Sequence, residues 1–247
     1  MKQFNYKIKT IAEAKEALNS LNNELASTNY KSLLFHLYTI QFNDQEINKT
    51  QEMILELFSD AKIVGTSTNG DICDGHLAEY GLVMCVSVFE STETVTYIFP
   101  CDKGKEAEIG RSICETIDSN PEIKAAEILI TLKSINSHII LNEVEKCNKN
   151  VYIFGGGSAA MEISGDDTKV FNNNQISHAG VMLVTYSGED FHIDVHHAIG
   201  WKPLGKDFEV TKIDGKRLYE LNHKPAGQIY SRYLDIQPDC SCSRLLL

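Results

Sequence analysis

The chain is poor in the features that would take it to a nucleic acid or a membrane. It carries 23 lysines and arginines against 34 acids, a formal charge of −11, and no basic run. Phosphate backbones are bound by a concentrated basic face, so a nucleic-acid partner is disfavoured. The same imbalance disfavours an anionic membrane surface. No stretch approaches the roughly 18 consecutive apolar residues of a spanning helix. The N-terminal run Met1-Lys2-Gln3-Phe4-Asn5-Tyr6-Lys7 has no apolar segment behind it, so no signal peptide is expected. There is no repeat of fixed period and no low-complexity linker. The seven cysteines are odd in number and scattered singly. Without a secretion signal they are expected to be reduced and mostly buried. Together these absences predict a cytoplasmic protein. Against them stands a hydrophobic content of 43%, enough over 247 residues for a sizeable core in one large domain or two small ones.

Apolar periodicity divides the first part into alternating helices and strands. Ile11, Ala14, Leu18, Leu21 and Leu25 recur at helical spacing behind Thr10, a capping residue. Residues 32–38 read as a buried strand, 44–58 as a helix and 61–65 as a short strand. Residues 81–89 and 94–99 are β-rich, and the polar residues between them predict a hairpin. A helix follows over 105–117, a buried strand over 125–132 and a short helix over 137–147. From residue 169 onward short strands dominate, at 169–171, 179–186 and 191–198, with a hairpin signal at Ser187-Gly188-Glu189-Asp190. Residues 208–213 and 215–221 predict another hairpin. Pro225 suits the first turn of a closing helix that runs to about Leu234. The expected fold is α+β, with layered mixed β-sheets and flanking helices.

Two stretches share one grammar. Val151-Tyr152-Ile153-Phe154 ends in Gly155-Gly156-Gly157-Ser158-Ala159-Ala160, and Lys62-Ile63-Val64 ends in Gly65-Thr66-Ser67-Thr68-Asn69-Gly70-Asp71-Ile72. Each reads as a buried strand that opens into a loop of small and hydroxyl residues. Glycine lets a ligand or another backbone approach closely, and successive N–H groups can form an anion-binding nest. The pair predicts a small-molecule pocket formed by Ser67, Thr68, Asn69, Gly156, Gly157 and Ser158. Glycine turns that serve packing alone are the plainer alternative.

Taken with Phe154-Gly155-Gly156-Gly157-Ser158-Ala159, the segment Val64–Ile72 resembles a known family, the FIST sensory domains of bacterial signalling proteins. Gly200-Trp201-Lys202-Pro203-Leu204-Gly205, the later Val210-Thr211 pair, and Leu221 with Pro225-Ala226 extend the resemblance. It covers about residues 30–234. It implies a non-catalytic cytoplasmic module that senses small molecules such as amino acids. The implied partners are outputs such as a histidine kinase, a diguanylate cyclase or a chemoreceptor signalling domain. It implies no catalytic residue and no cofactor. Residues 1–29 are then expected as an N-terminal helical extension, 30–221 as the N-terminal sensory domain, and 222–247 as the start of a truncated C-terminal one.

Several constellations compete with that reading. An amino-acid ligand needs acceptors for its ammonium and donors for its carboxylate. Asp166 could supply the first and the glycine-loop amides the second, with Asn172 nearby. Trp201, the sole tryptophan, is either a packing anchor or a stacking surface. If residues 191–197 form a strand, His192, Asp194 and His196 share one face. Such ligands are spaced about 6–7 Å apart, wide for one ion, so a solvated outer face is the plainer reading. Cys240 and Cys242 lack the second pair that a metal site wants. Ser158 or Cys73 as a nucleophile would make the chain a hydrolase-like enzyme, and exposed strand edges would make it an interaction adaptor.

Overall fold

The computed structural model describes residues 1–132, 135–147, 150–160, 168–173, 175–196, 202–203, 205–215 and 217–234. Contacts divide the chain into two units, Met1–Val195 and His196–Leu247.

The first unit runs β1 (Lys2–Ile8), α1 (Ile11–Leu25), β2 (Ser32–Thr39), α2 (Asp44–Leu57), β3 (Lys62–Ser67), β4 (Asp71–Cys73) and β5 (His76–Ala78). It continues with β6 (Leu82–Phe89), β7 (Glu93–Pro100), α3 (Glu106–Asp118), β8 (Ile123–Thr131) and α4 (Ser137–Val144). It closes with β9 (Tyr152–Ser158), β10 (Val170–Asn172), β11 (Ile176–Ser177) and β12 (Gly180–Ser187). One sheet has the order β1-β6-β2-β3-β10-β11, and a second the order β7-β12-β8-β9. The pairs β2–β3 and β8–β9 are parallel and the rest of both sheets antiparallel.

Four layers follow from strands that are apolar on both faces. Successive side chains of a strand point to opposite faces. Leu33, Phe35 and Leu37 of β2 pack with Leu18, Leu21, Ile47 and Ile54 of α1 and α2. Leu34, one position out of step, packs between the sheets with Val64, Leu129, Met182 and Val184. The second sheet does the same: Ile128 and Ile130 face the layer of α3 and α4, while Ala125 and Leu129 face the first sheet. The order is helices, sheet, sheet, helices, the α+β fold expected. Local signals start the helices. Thr10 Oγ1 accepts from Glu13 N at 3.2 Å. Asn43 and Glu46 form a reciprocal capping box on α2.

Four expectations are corrected. Strands β6 and β7 do not form a hairpin but enter different sheets: β6 pairs with β1 and β2, whereas β7 pairs with β12. A short polar connection fits either outcome, and facing layers decide it. The turn after Ser187 leads into no strand over residues 191–196, which are irregular, so His192, Asp194 and His196 share no pleated face. The glycine triplet is no loop: β9 runs through it to Ser158. Nor is β9 buried, since Tyr152 is 56% exposed and Ile153 36%. Strand β1 was not foreseen. Its Phe4, Tyr6 and Ile8 alternate with polar residues and join the core beneath α1.

The second unit holds β13 (Val210–Asp214), β14 (Arg217–Leu221), β15 (Lys224–Pro225) and α5 (Ala226–Leu234). The expected hairpin is present as β13–β14. Asn222 and His223 take left-handed φ values of 49° and 59° in the turn to β15. The helix begins at Ala226, just after Pro225.

Candidate functional site

The strand ends carrying the two glycine stretches meet. Ala159 N donates to Ser67 O at 3.0 Å, joining the end of β9 to the end of β3. Around that bond the polar groups are occupied. Ser67 N donates to Lys169 O at 3.0 Å. Lys169 N donates to Ser67 Oγ at 2.9 Å. Ser158 Oγ donates to Ile130 O at 3.2 Å. Both serines are buried. Asn172 is buried as well, its backbone oxygen accepting from Gln51 Nε2 at 2.7 Å and its Oδ1 from Gln175 N at 3.2 Å. Asn69 is exposed. Asp166 and Trp201 lie outside the described residues. The buried Lys169 ammonium reaches Asp44 Oδ1 at 2.7 Å, and His178 lies 3.1 Å from Oδ2. Burial pushes the Asp44 carboxyl up, but these two partners hold it below its ordinary value.

The glycine triplet borders an apolar cavity of about 300 Å³, with Ile128, Ile130, Leu132, Leu141 and Ile153 in its wall. Gly155 has φ +141°, and a Cβ there would sit 1.9 Å from Ile128 O. A Cβ on Gly157 would meet Leu132 Cδ1 at 2.1 Å, whereas one on Gly156 meets nothing within 4 Å. The triplet therefore serves close approach at two of its three positions.

The Lys62–Ile72 stretch ends at a different cavity with several polar side chains in its wall. Strands β4 and β5 form a small hairpin, turned by Asp74 at φ 51° and Gly75 at φ 77°. Asn5 Nδ2 donates to Asp74 Oδ1 at 3.1 Å and Lys7 Nζ to Leu77 O at 3.0 Å, tethering the hairpin to β1. Beneath it lies a cavity of about 370 Å³ whose wall includes Gln3, Asn5, Tyr38, Asp71, Asp74 and Cys85. The Tyr38 hydroxyl makes no hydrogen bond among the described residues, and burial, with Glu127 behind it, pushes its pKa far up. Burial also raises the Asp71 carboxyl. Thr68 lies beside it, close enough to pull it part of the way back but not aligned for a hydrogen bond.

Behind Tyr38 is a network between the sheets. The His36 ring stacks on Tyr38 at 6.0 Å and 9°. His36 Nε2 lies 2.8 Å from Glu127 Oε2, and Tyr186 donates its hydroxyl to the same oxygen at 2.7 Å. Burial works against the Glu127 charge, but His36 and Tyr186 outweigh it and hold the carboxyl below its ordinary value. Burial, then Glu127, pushes the Cys85 thiol up to about 11. The sequence reading missed Tyr38, Asp71, His36 and Glu127. The available signal was a histidine and a glutamate inside otherwise apolar runs.

Neither nucleophile reading gains support from the geometry. Ser158 is 3% exposed with its hydroxyl spent on a carbonyl. Burial, then Asp74, pushes the Cys73 thiol up, away from a reactive thiolate. Among the described residues no three or more His, Cys, Asp and Glu side chains are placed to hold a metal. No helix of the described residues is long and apolar enough to cross a membrane.

No curated protein matches the chain. The family model of the FIST N domain matches residues 33–224. That span starts within β2 and takes in Tyr38, both glycine stretches, the hairpin and every residue proposed from the sequence. The match is to a signal-transduction sensory domain family rather than an enzyme family, and on it the chain belongs to the FIST family.

Proposed function

We propose that this chain is a non-catalytic sensory module that binds a small polar ligand under the β4–β5 hairpin. It would pass the binding event to an output protein in the cytoplasm, such as a histidine kinase, a diguanylate cyclase or a chemoreceptor. The observation that carries the reading is the cavity at the end of the Lys62–Ile72 stretch, with an unbonded phenol and, on Asp71, a buried carboxyl oxygen that makes no hydrogen bond among the described residues. Buried polar groups without partners are costly, and a ligand that bonds them removes that cost. Thr68 lies beside Asp71 of the wall, and Asn69 follows it in the chain. Ser67 and Ser158 end β3 and β9 beside the Ala159–Ser67 bond, with Gly156 and Gly157 earlier on β9 and Asn172 on β10, the neighbour of β3. As a joint between these strands they couple the ligand to both sheets rather than touch it. Asp166 and Trp201 remain ligand candidates from the sequence pattern alone. A ligand preferring one arrangement of that joint would shift its population, which is the minimum a sensor requires.

A thermal-shift screen of the purified chain against amino acids and other small metabolites tests this. A binder at a hundredfold excess over Kd should stabilise the chain by about 2.7 kcal/mol. The rise should shrink in Tyr38→Phe. A flat screen on a folded chain would remove the ligand-sensing reading and leave the adaptor reading.

A further inference from the structure

We infer that the cavity under the hairpin takes a small organic ammonium ion, not an anion and not a zwitterionic amino acid. The inference rests on the proposed ligand site and narrows its chemistry.

The cavity wall contains two carboxylates, Asp71 and Asp74, and no lysine, arginine or histidine. Asp71 has no ion-pair partner among the described residues, though it is half-buried. Lys7, on the same face of β1 as Asn5, gives its ammonium to Leu77 O. The amide donors of the wall are each tied to one acceptor, Gln3 Nε2 donating to Asn5 Oδ1 at 3.0 Å and Asn5 Nδ2 to Asp74 Oδ1. The Tyr38 hydroxyl is then the one N–H or O–H side chain of the wall with no bond among the described residues, set against two carboxylates. Acceptors are left in surplus, namely the Asp71 carboxylate and the Tyr38 oxygen. A ligand ammonium is a donor three times over and carries no acceptor, so it uses the surplus acceptors and asks nothing of the wall's donors. The Tyr38 ring adds an aromatic surface, which attracts a cation and is indifferent to a neutral group. A carboxylate entering the same space would meet two like charges, one of them on the half-buried Asp71, and would be repelled. The volume, about 370 Å³, suits a compound of a few heavy atoms.

Three probes of similar size and different charge decide the matter: n-butylammonium, butyrate and γ-aminobutyrate, titrated into the intact chain by calorimetry at low salt. n-Butylammonium should bind, butyrate should not, and γ-aminobutyrate should bind at least tenfold more weakly than the amine. Asp71→Asn should weaken amine binding at least tenfold. Tyr38→Phe, which keeps the cavity's shape, should weaken it several-fold. Butyrate or γ-aminobutyrate binding as tightly as the amine would overturn the ammonium assignment while leaving ligand sensing in place. So would three silent probes beside a positive metabolite screen. Amine binding unchanged in both variants would place the cation elsewhere and overturn the site. Silence in the probes and the screen together would overturn both readings.

Discussion

Glu127 shows how much one residue can carry. It lies inside the apolar run of β8, and its carboxylate is shared by His36 from one sheet and Tyr186 from the other. Removing one partner from a buried hydrogen-bonded group leaves the others short of a bond, at a cost of about 1–3 kcal/mol, more for a charged group. His36→Ala and Glu127→Ala should each lose stability of that order in urea melts at pH 7. The sign of the pH effect follows from Glu127 being held below its unfolded value, near ~4.3. Its contribution is full above that pH and fades as pH falls through the folded pKa. Stability measured from pH 6 downward should therefore drop below about pH 4.3, and Glu127→Gln should show a shallower drop from a lower starting point. An equally steep profile in the variant would refute this. The sequence made both residues visible as polar intruders in apolar strands. It could not pair them, because they are 91 positions apart and meet only when the sheets stack.

At the scale of the element, local chemistry was legible and partnership was not. The starts of α1 and α2 could be read because a cap acts within one turn of chain. Asn43→Ala should cost α2 about 1 kcal/mol, measured by thermal melts. The pairing of β6 and β7 could not be read, since the same apolar pattern serves a hairpin or a crossing between layers. Strand β9 makes the sharper case. Its glycines read as a ligand loop, yet Gly155 and Gly157 are required by the backbone of β8 and the side chain of Leu132. Gly155→Ala combines an unfavourable φ with a clash on Ile128 O and should destabilise by more than about 2 kcal/mol. Gly156→Ala has open space and should be neutral or gain up to about 1 kcal/mol. Equal melting of the two variants would refute this account of the strand.

In the whole molecule, the buried core among the described residues falls within the first unit, Ala226 excepted. The chain cut after Val195 should therefore still unfold cooperatively, with a Tm close to that of the intact chain in calorimetry. The family match runs on to residue 224, so sensing and stability need not end at the same boundary. The parting of β6 from β7 has a further consequence, in time rather than space. Neither sheet can be completed from neighbouring chain. The segment entering β10 reaches Thr66 across 103 positions, and β12, which lies between β7 and β8, ends at Ser187. During synthesis, β7 and β8 must wait with apolar faces bare until that late strand leaves the ribosome. Such distant pairings fold slowly, in milliseconds to seconds or longer. Newborn chains are therefore exposed to aggregation until β12 has emerged, and chaperones that shield bare strands should govern how much of this protein a cell accumulates.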